Sequence, residues 1–476
     1  MKITICCSGS RGELQPYFAL GQALTARGHS ITIASEARME SLVQEFGFNF
    51  EKIFGDPTEL LWDSDPKVQK ALKNGSLLQL IDMMKKLEKK YPKAEVYESY
   101  IPATRGADML IAANLTIFHT AVAAEFYKIP WIAVILGPTL PTSEFPIFLL
   151  KSIACCSCMN KWTYTLIHTQ LWKEEKKVIG PFRAKLGLEP WNSYPLGLLD
   201  IIDAKRIPIV IAASELLCGP KRKAPMDYPS YAKVAGFFFV KQTVEDSEIN
   251  PELLLFVSES DRPVIYLGFG SMPCPYPEEQ LQIAYEVCQQ CRVKAVIVAG
   301  WSQLLDNSKC AAIMAMAGSD GDGLLHVAPS APHDWLFPRM QCIVHHCGLG
   351  TMAAALRAGV AQIPVPFLLD QPHNASVVLG LGVAPCCIPF SKLTARNLTA
   401  AVKKVIDNPM YSTKAKELGE FVRKESAQAL DLACDTVERQ HRAATLTHTG
   451  GEPHYQAAAA NEEDHSMLSE PLIVGR

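Results

Sequence analysis

Short apolar runs alternate with segments of helical period along most of this chain, and the alternation stops once and starts again. Ile3 to Cys7 reads as a strand. Pro16 to Arg27 reads as a helix, with Phe18, Leu20, Ala23 and Leu24 at helical spacing and Gly28 as its stop; Ser30 to Ala34 is a second strand. The unit recurs at Met109–Ala112, about Thr116–Tyr127 and Trp131–Leu136, and Ile209–Ala212 has the same strand character. Strands that are apolar throughout are covered on both faces, so the pattern requires a parallel sheet between two helical layers. A polar, acidic stretch at 241–262 interrupts it and reads as a linker. The alternation then restarts: strand Val264–Leu267, helix Glu278–Gln290, strands Ala295–Ala299, Leu324–Val327 and Cys342–His345, helix Thr351–Ala358 and strand Gln362–Val365.

The 476 residues, 48 % of them hydrophobic, suffice for two domains with separate cores. The expected division is a first domain at 1–240, a linker at 241–262 and a second domain at 263–408. A terminal helix follows at 409–440, running from about Ser412 to Arg439 after Pro409. The segment 441–476 has little apolar periodicity and is expected to be a disordered tail.

A formal net charge of −3 gives no bulk attraction to nucleic acid. The fifteen cysteines come in adjacent or crowded sets, such as Cys6–Cys7, Cys155–Cys156 with Cys158, and Cys386–Cys387, which is unlike a disulfide framework. Cys288 and Cys291 have C-x-x-C spacing but no second pair, and read as small buried hydrophobes. The apolar run after Met1 and Lys2 stops at Cys7, too short for a secretory leader. A cytoplasmic, reducing location is therefore expected, in which the glycosylation sequons at Asn114, Asn374 and Asn397 carry no weight. The most apolar region, Ile132 to Met159, is broken by Pro138, Pro141, Glu144, Pro146 and Lys151. It reads as a loop with an amphipathic helix, and a peripheral contact with a membrane surface is a further expectation.

Ligands of such sheets bind beyond the carboxyl ends of the strands. The residues just after the strands are accordingly the informative ones. After Cys342–His345 comes HHCGLGT, a glycine-rich turn opening a helix. Its backbone N–H groups form an anion site, to which His345, His346 and the Thr351 hydroxyl add donors. After Gln362–Val365 come Asp370 and Gln371, a carboxylate and an amide suited to several sugar hydroxyls. Ser271, in GFGSM, can reach another phosphate oxygen. His333 and His119 read as packing residues. The turn after the first strand, GSRGELQP, places Ser10, Arg11 and Glu13 at the same kind of position in the first domain. No P-loop sequence occurs, and the first turn lacks G-x-G-x-x-G, so P-loop phosphoryl transfer and a nicotinamide or flavin site are disfavoured. The features together point to a nucleotide diphosphate carrying a sugar.

The stretches GSRGELQPYFALGQALTARGH, PHDWLFPRMQCIVHHCGLGTMAAALRAGV and PVPFLLDQPHNA resemble the nucleotide-sugar-dependent glycosyltransferases of GT-B fold, in particular the sterol 3-beta-glucosyltransferases and related antibiotic glycosyltransferases. The resemblance runs from Met1 to about residue 435. It implies two Rossmann-like doubly wound domains facing a cleft, with a C-terminal helix crossing back onto the first domain. It implies that His346, Gly348, Gly350 and Thr351 contact the donor diphosphate, and that Asp370 and Gln371 hold the sugar. The first domain would take an apolar, hydroxyl-bearing acceptor, with a sterol as the nearest case. Glu13 stands where the family usually has an aspartate acting as general base, and Asn114 stands where the histidine-using branch has an acidic partner, so Glu13 would act alone. The donor implied is a UDP-sugar, a co-substrate rather than a cofactor, with no metal, and the transfer would invert the anomeric centre. A UDP-sugar epimerase and a non-catalytic nucleotide-sugar or lipid-binding protein are the alternatives.

Overall fold

The computed structural model describes residues 1–59, 85–150, 157–241, 245–270, 277–298, 308–319 and 323–448. The first domain holds seven parallel strands: β1 (Lys2–Cys6), β2 (Ser30–Glu36), β3 (Asn49–Ile53), β4 (Met109–Ala112), β5 (Trp131–Ile135), β6 (Ile209–Ile211) and β7 (Ala232–Val234). Their spatial order is β3-β2-β1-β4-β5-β6-β7. The second holds β8 (Val264–Gly268), β9 (Lys294–Val298), β10 (Leu325–Ala328), β11 (Ile343–His345) and β12 (Gln362–Pro364), in the order β10-β9-β8-β11-β12. Both sheets reverse direction beside their first strand, between β1 and β4 and between β8 and β11. Those reversals are the switch points at which an open α/β sheet leaves a crevice. The polar turn after β1 and the glycine-rich turn after β11 each lie at one.

Strand positions follow the apolar runs to within a residue or two, because strands covered on both faces leave little freedom in register. Ile3 and Ile5 on β1, Ile111 on β4 and Ile33 on β2 are all buried in one core. β3 and β7 have more exposed residues, which is why their sequences carry no strand signal. The first helix departs from expectation. It runs from Arg11 to Ala26, not from Pro16, because Ser10 is an extended N-cap and Pro16 stands within the helix. Arg11, Gly12 and Glu13 are therefore its first turn.

Within 241–262 the chain forms the helix Pro251–Ser258, capped by Asn250 Oδ1, which accepts from the N–H groups of Glu252 and Leu253. Ile249 and Leu253 are buried with Val264 and Trp335, so this part belongs to the outer layer of the second domain.

The terminal helix is longer than expected, Met410–His448. Residues 441–448 thus continue the helix, and the rest of the expected tail lies outside the described residues. Ala415, Leu418, Val422, Ala429, Ala433 and Val437 recur at intervals of three, four and seven residues, on one face of the helix, and are all buried. The first three pack with Met352 and Leu356 of the second domain. The last three pack with Ile5, Phe18 and Leu20 of the first. One apolar stripe therefore crosses both domains. Gly419 and Gly359 let the backbones meet where the helix leaves the second domain: a β-carbon on Gly419 would lie 2.8 Å from Gly359 Cα. Arg27 then pairs with Asp431 at 2.8 Å and Asp435 at 2.5 Å on the first domain's surface. Among the described residues, no helix is long and apolar enough to cross a membrane.

Candidate active site

The turn after β1 is built from its backbone outward. Gly9 has φ +130°, a conformation that side-chain-bearing residues rarely adopt. Its N–H donates to Glu36 Oε1 at 3.0 Å, and its carbonyl accepts from Arg38 Nη2 at 2.6 Å. Glu36 is buried at the end of β2 and also accepts from the Ser8 and Ser35 hydroxyls. Burial raises its carboxyl above the usual range. The Glu13 carboxylate folds back over this clamped peptide and accepts from the Ser10 N–H at 2.6 Å. A β-carbon on Gly9 would lie 2.8 Å from Glu13 Cδ, so glycine is what gives the carboxylate its place. Glu13 itself is exposed to solvent. Neither Glu36 nor Arg38 stood out in the sequence; their only signal was a position just beyond a strand end beside the turn.

The opposite wall is the turn after β11. His346 is 6 % exposed and wedged between two glycines: a β-carbon on Gly270 would lie 2.7 Å from its Cε1, and one on Gly348 3.0 Å from the same atom. Desolvation, with His345 and His333 adding to it, pushes its pKa down to about 3, so the ring is neutral at pH 7. Its Nδ1 is buried with no partner among the described residues. Gly348 caps the helix Leu349–Ala358, which places Gly350 and the buried Thr351 in its first turn.

His345 departs from the expected role. Its Nδ1 accepts from the Cys347 N–H at 3.1 Å, and its Nε2 lies 2.9 Å from Gln362 Oε1. Both ring nitrogens are spent inside the protein, and the side chain is fully buried, so it braces the turn instead of offering a donor to a ligand. Cys347, two residues further on, has φ +65° although it is not glycine.

Asp370 and Gln371 begin the helix Gln371–Gly380. The Gln371 side-chain carbonyl accepts from the N–H groups of Phe367 (2.9 Å) and Leu368 (3.3 Å), which turns its amide nitrogen into the group available to a ligand. Burial raises the Asp370 carboxyl above its ordinary value; a hydrogen bond from Asn374 opposes this, and the charge of Glu13 adds to it. Glu13 and Asp370, from different domains, thus face one space. The same holds for Arg11, whose charge helps to depress His333. The two helix N-termini almost touch: a β-carbon on Gly350 would lie 3.4 Å from the Gly12 carbonyl oxygen. Ser271 lies outside the described residues.

His119 and His333, read as packing residues, and Asn114, at the place of the acidic partner, have clear surroundings. His119 packs against the tilted ring of Tyr97 and stacks on Tyr100, with ring centroids 4.1 and 4.6 Å away, and desolvation pushes its pKa down to about 4. His333 stacks on Phe337 at 4.2 Å. Asn114 Oδ1 accepts from the Leu136 N–H at 2.8 Å and so ties down the loop after β5. Cys288 and Cys291 are free thiols.

Chemically, the cleft joins an exposed carboxylate on one wall to uncharged donors and a helix N-terminus on the other. Two doubly wound domains meeting at their switch points, bridged by a terminal helix, define the GT-B fold. Residues 3–146 match the glycosyltransferase family 28 N-terminal domain, and residues 323–430 match the erythromycin biosynthesis protein CIII-like C-terminal domain. The chain belongs to the GT-B glycosyltransferase superfamily. It is 30 % identical over 431 residues to a sterol 3-beta-glucosyltransferase of Debaryomyces hansenii, covering 89 % of this chain and 26 % of that protein. It thus spans about a quarter of that relative's length. It is 29 % identical to the O-mycaminosyltylonolide 6-deoxyallosyltransferase of Streptomyces fradiae, covering 95 % of this chain and all of that one. Among solved structures, the glycotransferase of kitacinnamycin superposes with a TM-score of 0.65 at 18 % identity, covering 92 % of this chain and 98 % of that one. The glycosyltransferase VinC, in complex with DTDP, superposes with a TM-score of 0.59 at 17 % identity, covering 93 % and 100 %.

Proposed function

We propose that this protein is an inverting glycosyltransferase that moves glucose from UDP-glucose to a hydroxyl of an apolar acceptor, a sterol or similar lipid or secondary metabolite. The observation that carries the reading is the meeting of Glu13 with the Asp370 and His346 wall in one cleft. The names of the relatives support glucose and a sterol; a thymidine diphosphate complex among the structural neighbours supports a nucleoside diphosphate donor.

In this reading, the diphosphate lies at the N-terminus of the Leu349–Ala358 helix, against Gly348, Gly350 and Thr351, with Ser10 and Arg11 closing over it from the first domain. Neutral His346 donates one hydrogen bond to it. Asp370 and the Gln371 amide hold sugar hydroxyls. The acceptor enters past the loop that Asn114 ties down. Glu13 takes the acceptor's proton as the oxygen attacks the anomeric carbon, which is worth roughly 10²–10⁴-fold in rate. The bond from that carbon to the diphosphate oxygen breaks, and the departing oxygen keeps the electron pair. Fixed dipoles stabilise the charge that develops there. Attack opposite the leaving group inverts the centre.

The test is release of nucleoside diphosphate from UDP-glucose and from dTDP-glucose, with and without a sterol, by the parent and by Glu13→Ala. Acceptor-dependent release that Glu13→Ala abolishes is the expected result. Tight donor binding with no turnover on any acceptor would overturn the reading.

A further inference from the structure

Asn374 was set aside in the sequence as an idle sequon, yet it joins the two halves of the donor site. It is 5 % exposed, one turn into the Gln371–Gly380 helix, four residues after Asp370. A side-chain amide nitrogen carries two hydrogens. Here both are used: Nδ2 donates to the Cys347 carbonyl at 3.0 Å and to Asp370 Oδ2 at 2.8 Å.

Each acceptor matters to a different part of the donor. Cys347 separates His346 from Gly348, and it is held at φ +65°. A residue with a β-carbon stays in that region only when its surroundings fix it. Its N–H is fixed by His345 and its carbonyl by Asn374. The second hydrogen holds the carboxylate that would meet the sugar. Leu369, just before that carboxylate, is also left-handed at φ +60°, so the Asp370 loop is another segment that depends on being tied down.

We propose that Asn374 is a positioning residue that locks the diphosphate turn and the sugar-binding carboxylate into one register, so that a single amide sets donor affinity for both parts of the molecule. The proposal rests on the glycosyltransferase reading above and extends it to a residue that touches no substrate.

Calorimetric titration of the full chain with UDP and with UDP-glucose separates the possibilities, using the parent, Asp370→Asn, Asn374→Ala and Asn374→Leu. The last keeps the side chain's approximate size, adds no charge and cannot donate, so it guards against loss of fold through a cavity, which a thermal melt monitors. The parent is expected to bind UDP-glucose more tightly than UDP. Asp370→Asn is expected to lose only the increment due to the sugar. Both Asn374 variants are expected to lose that increment and also to bind UDP itself about tenfold more weakly, the scale of one misaligned buried hydrogen bond. Unchanged affinity for UDP in folded Asn374 variants would overturn the proposal while leaving the functional reading intact. A parent that binds neither nucleotide would overturn the functional reading, and this proposal with it.

Discussion

The two walls of the cleft are the same device, a strand, a glycine-containing turn and a helix N-terminus, set at the switch points of two sheets. They differ in what they do with charge. The turn after β1 leaves its carboxylate in solvent and spends the buried Glu36 and the more exposed Arg38 on holding the backbone of one glycine. The turn after β11 buries its histidines until they are neutral and presents only dipoles. A base must exchange protons, which water permits. A site for a leaving anion gains from donors that are already desolvated and fixed, because they need no reorganisation when charge appears. One scaffold thus gives two kinds of surface according to how deeply the turn is buried.

That contrast can be broken at several points. His346→Ala removes the neutral donor and is expected to lower turnover about 10²- to 10³-fold. Steady-state release of nucleoside diphosphate reads this, and retained turnover would show that the second wall works through backbone alone. Gly9→Ala attacks the first wall. The new methyl meets the Glu13 carboxylate in a backbone conformation that alanine resists, so a loss on the order of 1–3 kcal/mol in stability and a further loss of turnover are expected. Gly350→Ala is the control on the second wall: its methyl would sit at ordinary contact distance from Gly12, and the melting temperature is expected to stay close to the parent's.

The walls are also kept together by the terminal helix, and there pH enters. Glu425 lies in the helix's buried stripe, accepts from the Glu215 N–H at 2.8 Å, and is raised by burial to about 7. The folded protein keeps this proton up to about pH 7, whereas an unfolded chain releases it near the ordinary value of 4.5. Stability from this group is therefore full below pH 4.5 and falls as pH rises through 7. Glu425→Gln is expected to stabilise the protein by on the order of 1–3 kcal/mol at pH 8 and not at all near pH 4, as read by denaturant titration at both. The smallest effect is expected at His119. His119→Phe keeps the ring packing against Tyr97 and Tyr100 and should leave turnover within about twofold, since a packing residue contributes shape and not proton transfer. A large loss of turnover with the fold intact would move the base from Glu13 to His119.

The sequence by itself determined the alternation of strands and helices, the restart near residue 264, and which turns lie beyond strand ends. Those features depend on local apolar periodicity, which a buried parallel sheet demands at every strand. It also determined the candidates that are carried by a contiguous motif: Glu13, His346, Gly348, Gly350, Thr351, Asp370 and Gln371. Tertiary structure alone decided which of two adjacent histidines is spent on bracing. His345 and His346 are equivalent in the sequence, and they differ only because Gln362 comes from the neighbouring strand to meet one of them. It likewise decided the roles of Glu36, Arg38 and Asn374, whose partners are 27, 29 and 27 residues away along the chain. Hydrogen bonds of that reach depend on where the sheets and helices bring the backbone, and no local pattern encodes them.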